Sequence, residues 1–235
     1  MKQELPSSDF RYTGAENLEV MSEARRYNCF LVDQVLKHAP ATGTVVDFGA
    51  GVGTFATAIR ERGREVCCVE PDPEQRSAIA NLGLVGLSSL EQIESRVAYV
   101  YSLNVLEHIQ DDEAVLGQIA SKLMAGGSLF LYVPAFPLLF GPMDKLVGHV
   151  RRYKQRELAR KVAACGLDVV RCEYVDSLGF AASLVFNALG GGNGGRLDPR
   201  AVRLYDRFAF PVSRALDKIC SSVLGKNVLL VARKP

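Results

Sequence analysis

Hydrophobic and polar positions along the chain follow two alternating patterns. Short apolar runs, typical of buried parallel strands, are separated by stretches with apolar residues three or four positions apart, which is the spacing of a helix face. Strands are predicted at residues 45–47, 65–70, 84–87, 97–103, 128–133, 167–174 and 227–232, and helices at 21–38, 54–62, 73–82, 112–125 and 154–165. The alternation predicts a doubly wound α/β sheet with right-handed crossovers.

Composition and charge limit the class of protein. The 235 residues are 48% hydrophobic and show no repeat or internal boundary, so one domain with a sizeable core is predicted. The net charge of +2 is evenly spread, which argues against a nucleic-acid partner. The six cysteines include no C-x-x-C pair and residues 1–20 lack the apolar run of a secretory signal, so a cytoplasmic protein with reduced thiols is predicted.

One segment, residues 177–195, carries no charge and begins with a continuous apolar stretch. It is too short and too rich in glycine to span a bilayer, so no transmembrane segment is predicted. Burial in the core is the favoured interpretation. The alternative is an exposed or lid-like apolar helix beside a hydrophobic substrate, which leaves peripheral contact with a membrane open.

A glycine-rich turn lies between the first predicted strand and the next helix. Asp47, Gly49, Gly51 and Gly53 form the pattern D-x-G-x-G-x-G, where an open α/β sheet binds its ligand. Glycines let the backbone approach a ligand, and the helix N-terminus offers amides to a carboxylate or a pyrophosphate. The third glycine comes one residue earlier than in G-x-G-x-x-G, which disfavours NAD but leaves it as an alternative. Glu70, at the end of the second strand, is placed to accept hydrogen bonds from ribose hydroxyls.

Four segments carry recognisable motifs: VVDFGAGVGTF, CCVEPD, YSLNVLEHIQDD and LMAGGSLFLYVPA. Together they resemble class I S-adenosylmethionine-dependent methyltransferases of the small-molecule, ubiquinone-methyltransferase-like group. The resemblance implies a Rossmann-like sheet of seven strands, mostly parallel, with an antiparallel last strand. It also implies a single methyltransferase domain divided into an N-terminal helical lid at 1–40, a cofactor-binding core at 41–175, a helical insertion over the substrate site at 176–225 and the last strand at 226–235.

The resemblance further implies which residues bind S-adenosylmethionine. They are Asp47, Gly49, Ala50, Gly51, Gly53, Glu70, Pro71, Ser88, Asn104 and Tyr27. Asp47 and the glycine turn would hold the methionine portion, and Glu70 the ribose. Ser88 would border the adenine, Asn104 would lie beside the cofactor, and Tyr27 would reach the sulfonium side of the pocket.

The sequence after Asn104 departs from one branch of these enzymes. Val105 and Leu106 replace the Pro-Pro-aromatic run of adenine and glutamine amide methyltransferases, which argues against base and protein glutamine methylation. Glu107 and His108 follow, and the favoured interpretation is that they start a helix. The alternative is that they line the pocket.

The chemistry of methyl transfer sets modest demands on the protein. A sulfonium methyl is already activated, so proximity and desolvation suffice, and no metal site is predicted. A base is needed only for a hydroxyl or ammonium acceptor. His149 is the candidate base, with Arg151 or Arg152 as an anion clamp and Tyr153 as a polar pocket wall, because these residues follow the fifth strand. The alternative is a solvated basic helix start.

The leading functional hypothesis is methyl transfer to oxygen, nitrogen or carbon of a small hydrophobic molecule, with or without an anionic group. One alternative is an NAD(P)-dependent oxidoreductase that uses the same glycine turn. Another is a catalytically inactive partner subunit that binds S-adenosylmethionine. The sequence leaves the acceptor and the oligomeric state open.

Overall fold

The computed structural model describes residues 20–190 and 194–235 and is built around one seven-stranded sheet. Its strands are β1 Val45–Phe48, β2 Val66–Val69, β3 Val85–Leu87, β4 Val97–Leu103, β5 Leu123–Pro134, β6 Asp168–Val175 and β7 Asn227–Arg233. They lie in the order β3-β2-β1-β4-β5-β7-β6, and only β7 runs antiparallel to its neighbours in that sheet. The predicted doubly wound sheet with an antiparallel last strand is confirmed.

Helices connect the strands and extend beyond the sheet. They are α1 Arg25–His38, α2 Thr54–Glu61, α3 Pro73–Asn81, α4 Asp112–Lys122, α5 Pro142–Leu146, α6 Gln155–Ala164, α7 Ser177–Ala188, α8 Pro199–Leu204 and α9 Phe210–Cys220. A π-helical turn, Tyr205–Ala209, joins α8 to α9. Local sequence explains where α3 begins. Asp72 accepts hydrogen bonds from the amides of Glu74 at 2.8 Å and Gln75 at 3.1 Å, and Pro73 suits the first helical position.

The strand β5 begins earlier than the sequence predicts. The pattern places a helix through residue 125, but α4 ends at Lys122 and Leu123 already pairs with Val97 of β4. Leu123 is fully buried. Sheet pairing and burial of this side chain therefore end the helix before the glycines that the sequence offers as a stop signal.

The two faces of the sheet pack against separate layers of helices. Along β4 and β5 the side chains alternate: Val100 and Leu129 face one apolar cluster, and Tyr101 and Phe130 face the other. This alternation follows from the two-residue period of a strand. Because both faces are covered, the central strands are apolar at nearly every position.

The helix α1 is capped from the far end of the chain. Ala24 stands at its N-cap position and offers no side-chain acceptor. Instead, Asp206 of the π-helical turn accepts hydrogen bonds from the amides of Arg26 at 3.0 Å and Tyr27 at 2.8 Å. A carboxylate at this end also suits the helix dipole. These bonds join α1 to the 176–225 insertion, and we call the two together the cover. Residues 1–19 of the predicted lid lie outside the described part of the chain.

The insertion is anchored to the sheet by a second set of buried carboxylates. Asp217 accepts hydrogen bonds from the amides of Asp176 at 3.0 Å and Ser177 at 2.9 Å. Asp176 in turn accepts from the Ser213 hydroxyl at 2.8 Å. Asp176 and Ser177 directly follow β6, so these bonds fix the start of α7 at the carboxyl edge of the sheet.

The favoured interpretation of the apolar segment was burial in the core, and the structure corrects it. Within α7 and just after it, Val185 is 59% and Leu189 79% exposed. The helix crosses the sheet edge rather than entering a layer, so only its first turn is buried. No helix within residues 20–190 and 194–235 is both long enough and apolar enough to cross a membrane.

The cap from Asp206 gives a test of the connected cover. Asp206→Ala should destabilise the protein by about 1–2 kcal/mol, the usual cost of losing a helix cap. Hydrogen exchange should accelerate at Arg26 and Tyr27, which are far away in sequence. Asp198→Ala is the matched control, because Asp198 caps only its own helix through Arg200, at 2.8 Å. Equal exchange in α1 for both variants would show that the cover is not joined in this way.

Candidate functional site

The glycine turn between β1 and α2 has the close approaches that its sequence predicts. Gly49, Gly51 and Gly53 have φ angles of +79°, +56° and +83°. A Cβ atom at Gly49 would lie 2.3 Å from Cγ2 of Val105, so only glycine fits there. A Cβ atom at Gly51 would lie 3.4 Å from Oε1 of Gln75, at the short end of an ordinary contact.

The carboxylate of Glu70 holds this turn in place. Its oxygens accept hydrogen bonds from the amides of Gly51 at 2.9 Å and Asp72 at 3.0 Å. Burial raises the pKa of Glu70, and these two amides offset part of the rise by stabilising the ionised form. Glu70 therefore positions the loop. It also lies where a ribose-binding acid is expected.

Asp47 is buried under the turn, with 3% of its surface exposed. Burial raises its pKa to about 7; the Tyr101 hydroxyl opposes the rise, and the Glu70 charge adds to it. In the ionised state Asp47 would favour a cationic group beside the glycines. A ligand with an α-ammonium group beside a carboxylate would match these charges. Its ammonium group would face Asp47, and its carboxylate would bind the amides at the start of α2.

Tyr27 and Asn104 are brought together at the carboxyl ends of β4 and β5. Asn104 has a positive φ of 54°, and its amide donates to the carbonyl of Tyr132 at 2.7 Å. The Tyr27 ring meets the Tyr132 ring edge-on at 6.2 Å and the Phe210 ring at 5.5 Å. Burial raises the pKa of Tyr27, while the nearby Tyr132 and Asn104 side chains oppose that rise. These contacts place the early helix against the edge beside the glycine turn.

A second group of titratable side chains lies just beyond Asn104. Glu107 is fully buried in the turn Leu106–His108, and within the described residues neither carboxyl oxygen has a hydrogen-bond partner. Burial raises the pKa of Glu107 to about 8, although its own backbone amide and the Arg152 charge oppose the rise. Nε2 of His149 lies 3.7 Å from Oε1 of Glu107.

The imidazole of His149 is oriented by Asp144. Nδ1 of His149 donates to Oδ1 of Asp144 at 2.7 Å, so its other ring nitrogen faces Glu107. The ring of His108 stands at 78° to it, with 4.7 Å between ring centroids. Burial and the neighbouring His149 lower the pKa of His108 to about 4, which keeps its imidazole neutral.

A family model described as a methyltransferase domain matches residues 21–171, which is more than half of the chain and includes every contact described above for the glycine turn. The chain belongs to the methyltransferase family. The resemblance drawn from the sequence motifs is confirmed.

Curated relatives match the chain over a shorter stretch. An uncharacterised methyltransferase of Mycobacterium sp. (strain KMS) is 33% identical over 109 residues, which are 44% of this chain and 42% of the relative. The ubiquinone biosynthesis O-methyltransferase of Xylella fastidiosa (strain 9a5c) is 29% identical over 115 residues, 43% of this chain and 46% of the relative. The chain thus matches less than half the length of these relatives.

Solved structures share the fold of the chain over nearly its whole length. The geranyl diphosphate C-methyltransferase from Streptomyces coelicolor A3(2), solved with Mg²⁺, geranyl diphosphate and S-adenosyl-L-homocysteine, aligns with a TM-score of 0.58. The alignment covers 97% of this chain and 88% of that chain at 16% identity. At this identity the likeness concerns the fold alone.

Two residues that the sequence predicts to act on the substrate, Tyr153 and Arg152, are buried in the structure. Tyr153 is fully buried, and its hydroxyl lies 2.8 Å from Oδ2 of Asp112, so it packs in the core and is not a pocket wall. Arg152 is 5% exposed, and its Nε donates to Asp144 at 2.8 Å. Arg151 pairs with Asp112 at 3.0 Å. Neither guanidinium is available as the predicted anion clamp, because each is paired with a buried carboxylate.

The remaining predicted residues lie at the same edge of the sheet. Ser88 follows β3, and its amide and hydroxyl both donate to Oε1 of Gln92, at 2.7 and 3.1 Å. The Pro71 carbonyl accepts from Arg76 at 2.6 Å, and Ala50 packs beside the core. Their contacts with a cofactor stay predictions.

Sequence reasoning missed Asp144 and Asp206. Asp144 lies in a five-residue helix, α5, with no recognisable motif, and Asp206 is separated by 179 residues from Tyr27, whose amide it binds. No signal in a single sequence identifies these partners, since both depend on how distant segments pack.

Asp47 provides a test of site electrostatics. Its folded pKa of about 7 lies above the usual value near 4, so the folded state keeps a proton that the unfolded chain has released, and stability falls as pH rises toward 7. Asp47→Asn has no titrating group at this position, so the variant does not lose stability in this way as the pH rises. Between pH 5 and pH 8 the variant should gain roughly 2–3 kcal/mol relative to the parent, measured by urea unfolding without cofactor. Asp168→Asn, at an exposed position, is the control; a gain independent of pH in Asp47→Asn would contradict the assignment.

Proposed function

We propose that the protein transfers a methyl group from S-adenosylmethionine to a small hydrophobic molecule. The observation that carries the proposal is the glycine turn of β1, locked by Glu70 through the Gly51 amide at 2.9 Å, in a chain of the methyltransferase family. The helix that follows the turn begins without a side-chain cap, and a buried carboxyl group lies beneath the turn. These features fit a ligand that carries both an ammonium and a carboxylate group.

The residues that would hold the cofactor lie along one edge of the sheet. The amides at the start of α2 would bind the carboxylate of the methionine portion, and Asp47 its ammonium group. Glu70 retains lone pairs for ribose hydroxyls, because each of its oxygens accepts one backbone bond. When bound, S-adenosylmethionine supplies an activated methyl group. The protein then needs to align the acceptor and exclude water.

The acceptor would lie against aromatic side chains at the carboxyl edge. Phe136, just after β5, stacks on Tyr174 with 4.5 Å between ring centroids and meets Phe180 of α7 edge-on at 5.1 Å. Asn187 of α7 donates to the carbonyl of Leu139 at 2.9 Å, which holds the helix over this edge. Such a surface favours an apolar acceptor. A methyltransferase of the same fold acts on geranyl diphosphate, an isoprenoid.

The proposal does not include an anionic group on the acceptor. The two arginines that suggested one are engaged by Asp112 and Asp144. Breaking either pair would remove one of the groups that compensate a buried carboxylate, which is costly. Apolar contact is therefore the recognition that the described residues support.

Two other functions remain to be separated from methyl transfer by experiment. Calorimetry with S-adenosylhomocysteine and with NADPH distinguishes the cofactor classes, and binding of NADPH alone would refute the proposal. Incubation with labelled donor and a lipid extract distinguishes an active enzyme from an inactive partner subunit, for which donor binding without labelled product is expected.

Gly49 and Gly63 form a matched pair for testing the cofactor site. Both have left-handed φ angles, +79° and +81°, but a Cβ atom at Gly63 has nothing within 4 Å. Gly49→Ala should lower the affinity for S-adenosylhomocysteine by about tenfold or more, since the Cβ must displace Val105 and the turn. Gly63→Ala carries the same backbone strain and should bind normally. Calorimetry measures both, and equal affinities would exclude the turn as the binding site.

We also propose that the insertion contacts an anionic membrane surface, from which a hydrophobic acceptor would be taken. Exposed apolar side chains recur at spacings of three or four residues from α8 to just past α9. This apolar stripe consists of Leu204, Phe208, Val212, Leu216, Ile219 and Val223. The exposed charged residues of the same stretch are basic: Arg200, Arg203, Arg207 and Lys218. An apolar stripe flanked by basic residues suits a negatively charged interface.

Vesicle sedimentation tests the membrane contact. Phe208→Glu and Ile219→Glu should each lower binding to vesicles with anionic lipid several-fold, because both side chains are more than 60% exposed within the apolar stripe. Val170→Glu is the control, since Val170 is 68% exposed on β6, outside the stripe. Binding should also weaken with added salt. Absence of binding by the parent protein, or equal loss in the control, would refute the contact.

A further inference from the structure

Three potential metal ligands converge beyond the carboxyl end of β4. One ligand atom each from Glu107, His108 and His149 lies within 4.8 Å of the other two. Oε1 of Glu107 and Nε2 of His149 are 3.7 Å apart, too long for a hydrogen bond but close to the separation of about 3.4 Å between two ligands of a tetrahedral zinc ion. Small side-chain rotations would therefore bring the three groups around one cation.

The carboxylate of Glu107 is the group that most needs a partner. It is fully buried, and in the described part of the chain neither of its oxygens accepts a hydrogen bond. A buried carboxyl group without hydrogen bonds is strongly disfavoured unless something else compensates it. A cation bound to Glu107 would supply that compensation.

His149 is held in the orientation that a metal ligand requires. Its Nδ1 donates to Asp144 at 2.7 Å, and Asp144 is itself fixed by Nε of Arg152 and the amide of Gly141, both at 2.8 Å. A carboxylate behind a ligating histidine fixes the tautomer and turns the other nitrogen toward the metal. In this arrangement Asp144 and Arg152 are positioning residues.

We propose that Glu107, His108 and His149 bind a divalent transition-metal ion, such as Zn²⁺, next to the methyl-transfer site. Two imidazole nitrogens and one carboxylate oxygen favour zinc, iron, cobalt or manganese over calcium, which prefers oxygen ligands. Three protein ligands leave a coordination position open, as in catalytic rather than structural zinc sites. The sequence predicted no metal, because the third ligand lies 41 residues away from His108 and only folding brings it close.

The open coordination position would let the metal ion bind the methyl acceptor, a role that rests on the proposed function. Glu107 follows Asn104 by three residues, so the ion would lie beside the cofactor edge. It would bind an acceptor hydroxyl and lower its pKa, so that the proton passes to water. The oxygen then forms a bond to the sulfonium methyl carbon, and the electrons of the S–CH₃ bond go to sulfur. His149 acts as a ligand rather than a base, because the metal occupies its lone pair.

Metal binding can be measured without any methyl acceptor. The full chain, without a polyhistidine tag, is stripped with chelator and titrated with Zn²⁺ by calorimetry, and Co²⁺ is used as a spectroscopic probe. We expect one ion per chain. Glu107→Gln and His149→Ala should lower Zn²⁺ affinity at least tenfold and abolish the visible Co²⁺ spectrum of the site. Asp144→Asn should lower affinity about 10–100-fold, the usual effect of losing a group that orients a ligand.

The controls separate loss of the site from loss of the fold. His38→Ala removes a histidine of α1 that lies outside the cluster and should bind Zn²⁺ like the parent. Glu107→Gln removes an uncompensated buried acid, so it should fold and bind S-adenosylhomocysteine. Absence of stoichiometric Zn²⁺ in the parent, or unchanged binding in Glu107→Gln and His149→Ala, would overturn the metal site. Zn²⁺ binding without S-adenosylhomocysteine binding would leave the metal site intact and refute the proposed function.

Discussion

The hydrogen bond from the Gly51 amide to the Glu70 carboxylate is the contact on which the functional edge depends. It joins the ends of β1 and β2 at 2.9 Å and fixes a turn whose glycines have left-handed φ angles. Because Gly49 in that turn packs directly against Val105, the same contact also fixes the chain that leaves β4. Asn104 directly precedes Val105, and Glu107 and His108 follow it by two and three residues.

Buried carboxylates perform the same joining role in the cover. Asp206 binds the first amides of α1, and Asp217 binds the amides that start α7. Each of these acids is at most 6% exposed and accepts several hydrogen bonds, which offsets much of the cost of burying its charge. The cover is therefore attached at defined points, while its outer face keeps the exposed apolar stripe.

Glu107 differs from these acids because its carboxyl oxygens lack such donors within the described residues. The neighbouring Asp144 accepts bonds from His149, Arg152 and Gly141. Burial acts to raise the pKa of Asp144, but these bonds outweigh it and hold the pKa below its usual value. The contrast between Asp144, whose oxygens accept several hydrogen bonds, and Glu107, whose oxygens accept none in the described residues, is what supports the proposed cation at Glu107.

The sequence by itself determined the sheet and placed the predicted cofactor-binding residues at one of its edges. Strand periodicity and the D-x-G-x-G-x-G turn are local signals, and Asp47, the glycines, Glu70 and Asn104 lie within or directly after strands, so their common edge follows from parallel pairing. Only the tertiary structure decided the roles of residues whose partners are distant. Tyr153 and Arg152 lie in the loop where the sequence predicts substrate contacts, yet both are buried and bound to Asp112 and Asp144. The convergence of Glu107 with His149 likewise depends on how two loops meet, which no local pattern encodes.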